Sequence, residues 1–177
     1  MIYYIADTHF GHANVIKHDN RPFDSVDEMD RVLIENWNNR VNKTDEIYII
    51  GDLQFRTHKQ ADYYLKQLNG RKHLIIGNHD TQLLKDTEVK KYFVEINQMS
   101  FVLDNERRVI MCHYPLVEWN GFFRGAYHIY GHVHNNKENR ANKIMSNIDR
   151  ALNAGCMLND YMPVTLDELI VNNKNNK

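Results

Sequence analysis

Cysteine is nearly absent: Cys112 and Cys156 are the two in 177 residues, too few for a disulfide framework and without the thiolate cluster of a structural zinc knot. Met1-Ile-Tyr-Tyr-Ile-Ala6 runs straight into Asp7 and His9 without a basic n-region or cleavage site. Two reduced thiols and a cytoplasmic location are therefore expected. No apolar run approaches the roughly 20 residues of a membrane span. Charge of one sign is missing too, because 22 Lys+Arg meet 23 Asp+Glu for a formal charge of −1. That balance carries no global footprint for duplex nucleic acid or for an anionic membrane. No repeat or internal linker is visible, so 1–171 reads as one domain and Asn172-Asn-Lys-Asn-Asn-Lys177 as a frayed polar tail. A domain of this length buries roughly 70% of its unfolded surface, so a metal here needs a functional reason.

Glycine is scarce as well, at 8 residues, whereas histidine is plentiful at 10. Residues 2–6, 47–50 and 73–76 are short β-branched and aromatic runs that read as buried strands. Between them, Ser25-x-x-Glu28 is a capping box opening an amphipathic helix over 26–42. A second helix is predicted over 57–69, stopped by Gly70. Strands alternating with helices imply parallel pairing. The second half differs: 99–103 and 107–112 flank Asp104-Asn-Glu106 as a hairpin, 127–130 and 144–148 read as further strands, and Thr165-x-x-Glu168 caps a last short helical turn. Strands without helices between them suggest antiparallel additions.

Polar clusters follow the predicted strands at one end: Asp7/His9, Asp52, Asn78/His79/Asp80, His113 and His132/His134. In open α/β sheets that edge is where ligands bind. Gly51, Gly77 and Gly131 stand immediately before three of these clusters, where the chain must turn out of a strand. Any one cluster has a bland explanation in packing or turn formation. Five strand ends carrying metal-competent side chains do not, because unpaired buried carboxylates cost several kcal/mol. Carboxylate, amide and imidazole without thiolate suit Mn, Fe or Zn. More than six candidate ligands suit two ions, which a carboxylate can bridge, and such a pair clamps a phosphoryl group for in-line attack by water.

Asp7-x-His9, Gly51-Asp52, Gly77-Asn-His-Asp80, His113 and Gly131-His-Val-His134 resemble, in order, the five-part signature of the calcineurin-like metallophosphoesterases. Asp7-Thr-His-Phe-Gly-His12, Asn20-Arg-Pro-Phe23 and Trp119-Asn-Gly-Phe-Phe-Arg124 resemble a compact bacterial and phage branch. The resemblance implies an α/β fold, a four-layer α/β/β/α sandwich of two mixed sheets. It also implies two divalent metals, manganese first and iron, zinc or nickel as alternatives. By motif, Asp7, His9 and His134 hold one metal, Asn78, His113 and His132 the other, and Asp52 bridges them. His79 becomes the proton donor or charge stabiliser, oriented by Asp80. Asn153-Ala-Gly-Cys156 resembles the closing Asn-x-Gly turn. One departure is Gly51-Asp52-Leu-Gln-Phe-Arg56, where many relatives continue with a basic or His-containing stretch.

Substrate contacts are expected from His12, one turn past the first ligands, and from Arg21, whose guanidinium can fork onto a phosphate. Trp119 and Arg124 are expected to contribute from 114–126, a lid candidate between two ligands whose aromatics could stack a base. His18, His58, His73 and His128 match no motif position. The expected activity is hydrolysis of a small phosphorylated substrate, a nucleotide-type phosphodiester first. A phosphomonoesterase, a dinucleoside polyphosphate hydrolase and a nuclease are the alternatives. A non-catalytic metal-binding scaffold is the reading from another class, and retention of His79 beside Asn78 speaks against it.

Overall fold

The computed structural model describes residues 1–176. The elements run β1 (Ile2–Ile5), α1 (Ala13–His18), α2 (Val26–Arg40), β2 (Glu46–Ile49), α3 (Ala61–Leu65), β3 (Arg71–Ile75), β4 (Phe93–Asn97), β5 (Met99–Asp104), β6 (Arg107–Cys112), β7 (Tyr127–Tyr130), α4 (Arg140–Met145), β8 (Ala151–Asn153) and α5 (Leu166–Asn176). β1, β2, β3 and β4 form one sheet in that order, parallel throughout, with an antiparallel bridge from Tyr4 to Val164 on the free edge of β1. The second sheet is β5, β6, β7, β8 and is mixed: the β5–β6 hairpin is antiparallel, while β6–β7 and β7–β8 are parallel. The antiparallel expectation for the second half thus holds only for the hairpin, because the segments after β6 and β7 cross over and return each strand in the same sense.

Alternation along the strands builds the four layers. Tyr3, Ile5, Ile47, Ile49 and Leu74 turn outward from the first sheet onto Met29, Leu33 and Trp37 of α2 and Tyr64 of α3. Their neighbours Tyr4, Tyr48, Ile50 and Ile75 turn inward and meet Val109, Met111, Ile129 and Leu152 of the second sheet. The far face of that sheet carries Ile110, Tyr130 and Ala151 against Trp119, Val133 and Met145.

The capping signals form as read. Ser25 Oγ accepts the Glu28 N–H at 3.2 Å, and Thr165 and Glu168 cap each other's N–H groups at 2.8 and 3.4 Å. α3 is shorter than predicted because Gln67 N–H bonds Tyr64 O, a tighter turn that ends the helix after Leu65. Residues 144–148, expected as a strand, lie at the end of α4 and in the turn after it, since Asn139 Oδ1 caps Ala141 N–H and starts a helix instead. The strand there is β8, whose three residues are all buried.

The expected frayed tail is corrected as well. α5 continues through Asn172 and Asn173 to Asn176, because the Asn173 amide pairs with both backbone groups of Asn153 at 2.7 and 3.1 Å and Asn172 Nδ2 donates to Asn159 Oδ1 at 2.9 Å. Lys177, the last residue of that tail, lies outside the described residues. Among the described residues no helix is long and apolar enough to cross a membrane.

Candidate metal centre

The carboxyl ends of β1, β2, β3, β6 and β7 open onto one place, and the polar residues that follow them converge there. Asp7, His9, Asp52, His132 and His134 all have left-handed backbone, with φ of 56°, 51°, 56°, 71° and 50°. Each such non-glycine residue costs on the order of 1–3 kcal/mol and persists where its surroundings over-determine it. The glycines before the clusters serve two different needs. Gly51 has φ +78° and supplies a turn; Gly77 has no such φ but packs against Asp52, and Gly131 against Asp7, so close that a Cβ on either would collide with the carboxylate.

Asp52 is buried, and its Oδ2 is ringed by imidazoles: His113 Nε2 at 3.5 Å, His9 Nε2 at 3.8 Å and His79 Nε2 at 4.0 Å. Asn78 Oδ1 lies 3.1 Å from His113 Nε2 and 2.8 Å from His132 Nδ1. On the other side, His134 Nε2 is 3.2 Å from His9 Nε2 and 3.8 Å from Asp7 Oδ1. The carboxylate of Asp7 also accepts the His132 N–H at 3.1 Å. The side-chain donor atoms of Asp7, His9 and His134, and those of Asp7, Asp52 and His113, each lie within 4.8 Å of one another.

This donor set fits a divalent cation. His113 Nδ1 is 2.8 Å from the Ile50 carbonyl oxygen and His134 Nδ1 is 2.7 Å from Asp19. Those nitrogens must donate, so in the neutral form of each ring the inward Nε2 is a bare lone pair facing other acceptors. His9 Nδ1 is buried without a partner. The electrostatics state the same demand. Burial pushes the Asp7 carboxyl up despite His134 and His113 nearby. Burial also opposes ionisation of Asp52, but its hydrogen bond and charge contact with His113 hold it down at about 2. His113 in turn rises to about 9, the pull of Asp52 and Asp7 outweighing its burial. Two buried carboxylates call for positive charge, and a bound cation provides it without protonating the imidazoles.

His79 sits on the wall of the same cleft, its backbone N–H donating to Asp52 Oδ1 at 2.9 Å. Asp80 does not orient it. The Asp80 carboxylate accepts the N–H groups of Asp52, Leu53 and Gly77 at 2.8, 3.0 and 2.8 Å, and so fixes the turn that carries Asp52. The cleft, about 400 Å³, is also lined by His12, Asn14, His18, Asn136 and Asn139.

The other expected substrate contacts lie elsewhere. Arg21 is 4% exposed, forks onto Asp19 at 2.9 and 3.1 Å and donates to the carbonyls of Asp7 and Thr8; it props the first ligand loop from behind. Trp119 is 7% exposed and packs on the far face of the second sheet, its indole N–H donating to Ala126 O. Leu116 N–H donates to His128 Nε2, so 114–126 is strapped to that face and neither Trp119 nor Arg124 lines the cleft. Two residues that sequence reasoning missed are Asp19, which orients His134, and Phe55, whose ring packs tilted against His79 with centroids 3.8 Å apart. Asp19 is 115 positions from His134, so no local spacing links them.

Among curated proteins, the chain is 38% identical over 171 residues to the uncharacterized protein MJ1445 of Methanocaldococcus jannaschii, covering 96% of this chain and 89% of that one. It is 28% identical over 158 residues to the Gene 66 protein of Mycobacterium phage D29, covering 75% and 78%. Among solved structures, AQ665 of Aquifex aeolicus, a protein of unknown function, superposes with a TM-score of 0.73 at 30% identity, over 95% of this chain and 96% of that one. No family model matches the chain.

Proposed function

We propose that the chain, which belongs to one family with MJ1445 and AQ665 and whose five-part signature resembles that of the calcineurin-like metallophosphoesterases, hydrolyses phosphodiesters with two divalent metal ions, manganese the first choice. The observation that carries this reading is the ring of three imidazoles from three strand ends around one buried carboxylate oxygen, Asp52 Oδ2. Asp7, His9 and His134 would hold one ion and Asn78, His113 and His132 the other, with Asp52 shared. Such a pair lowers the pKa of water and offsets charge on phosphoryl oxygens.

The chain's own residues divide the remaining work. Asp80 keeps the Asp52 turn in place through three N–H groups. His79 delivers a proton to the leaving oxygen: its ring lines the cleft, and its Nε2, 4.0 Å from Asp52, is beyond hydrogen-bond reach and free to face a substrate. The wall supports a diester over a monoester. Among the described residues the lining contains no lysine or arginine, only imidazole, amide, Asp52 and two valines, and a monoester dianion carries one more charge for a site to neutralise. With Trp119 packed elsewhere, base stacking no longer supports a nucleotide, and the substrate class is drawn from charge alone.

The test is turnover of a bis-aryl phosphodiester beside the matching aryl monoester, on protein loaded with Mn²⁺ whose metal content is counted in the same sample. Diester turnover at two ions per chain, abolished by chelation, is the expected result. Preference for the monoester would make the protein a phosphatase, and two bound ions with neither ester cleaved would make it a scaffold.

A further inference from the structure

His79 is held by a residue that belongs to none of the motifs. Phe55 packs against its imidazole at 3.8 Å between centroids, with the planes tilted by 39°. The same phenyl ring meets His12 edge-on at 5.0 Å, and the Arg56 guanidinium carbon lies 5.0 Å from its centroid. Phe55 is itself anchored, because its N–H donates to Phe10 O and the adjacent Gln54 bridges Phe10. The two segments therefore clamp each other: Asp80 of one holds the backbone of Asp52 and Leu53, and Phe55 of the other holds the ring of His79. Among the described residues no side-chain oxygen lies within hydrogen-bond distance of the His79 ring, Asp52 at 4.0 Å being beyond it. An aromatic face thus does for this imidazole what a carboxylate does for His134.

We propose that Phe55 is the positioning residue of His79, setting the plane from which that imidazole protonates the leaving oxygen; this rests on the proton-donor reading of His79. The experiment compares wild type, Phe55→Leu, Phe55→Tyr and His79→Ala, all metal-loaded, on bis(4-nitrophenyl) phosphate and on diphenyl phosphate, whose leaving group is poorer. Phe55→Leu should lower kcat on diphenyl phosphate by about tenfold or more, a part of the 10²–10⁴ that a positioned acid contributes. The loss on the nitrophenyl ester should be several-fold smaller, with KM and metal content held and Phe55→Tyr restoring the rate. An equal loss on both esters, wild-type rates on both, or loss of metal would overturn the proposal. If His79→Ala itself shows no leaving-group dependence, or no ester is cleaved, the proton-donor reading has failed instead. Phe55 is then decided by the ring-current shift of the His79 C–H protons in zinc-loaded protein. Loss of that shift in Phe55→Leu and retention in Phe55→Tyr supports positioning, and an unchanged shift refutes it.

Discussion

Asp19 grips His134 from behind, its two oxygens 2.7 and 2.9 Å from the ring Nδ1. That contact fixes the tautomer and turns Nε2 toward Asp7 and His9, the arrangement by which a second carboxylate raises the basicity of a metal-binding imidazole. Arg21 pairs with the same carboxylate and braces the Asp7 and Thr8 carbonyls, so one buried pair supports two candidate ligands. Asp19→Asn should therefore weaken metal binding by about 10–100-fold. A Mn²⁺ titration should show the ion on the His134 side lost first, and unaltered binding would separate Asp19 from the centre.

Asp52 and His79 should part company under mutation. Asp52→Asn removes the charge that faces three imidazoles, so metal content and turnover should fall together. His79→Ala should keep both ions and lose rate, by about 10²–10⁴-fold on esters with poor leaving groups. Metal analysis beside kinetics reads both, and wild-type turnover of an unactivated ester by His79→Ala would remove the proton-donor role.

The convergence of the candidate ligands was legible because each follows a short apolar run that ends abruptly, and the chain's few glycines mark three of those ends. β1, β2, β3, the hairpin and β7 were legible for the same reason. What was hidden depends on approach in space. Asp19 and Phe55 act on residues far away in the chain, and β8 is three residues long. Arg21 shows the opposite error: a guanidinium near phosphate chemistry looks alike in sequence whether it faces a substrate or a buried aspartate. Trp119 was placed over the site by its position between two ligands, yet its aromatic neighbours gave it a core of its own.

Gly77→Ala tests how closely the ligand loops pack. A Cβ there would run into the Asp52 carboxylate and lie 2.6 Å from its backbone nitrogen, and neither can retreat while Asp80 and His79 hold them. Metal affinity should drop along with thermal stability. A variant with normal metal content would show that the Asp52 turn has room to shift.

Arg124 and Trp119 should separate from the chemistry in opposite ways. Arg124→Ala should leave kcat/KM on a diester within about twofold, as for surface changes away from special features, because the residue does not line the cleft. Trp119→Ala should cost about 3–5 kcal/mol of stability as a cavity in the core. A large rise in KM for Arg124→Ala would restore that residue to the substrate site.

His128 supplies an acid-sensitive element away from the metal ligands. Its Nδ1 donates to Ile110 O and its Nε2 accepts the Leu116 N–H, so the neutral ring is fully used. Burial pushes its pKa down to about 4, against about 6.5 in the unfolded chain. Between those values the unfolded state binds a proton that the native state does not. Stability is therefore complete above about pH 6.5 and falls as pH drops toward 4, by on the order of 3 kcal/mol in total. Burial lowers His12 and His132 as well, so the informative quantity is the difference between wild type and His128→Gln in urea unfolding at a series of pH values. The variant should start less stable and lose less on acidification, its slope shallower by about one proton. Parallel slopes would mean that His128 is protonated without breaking its bond to Leu116.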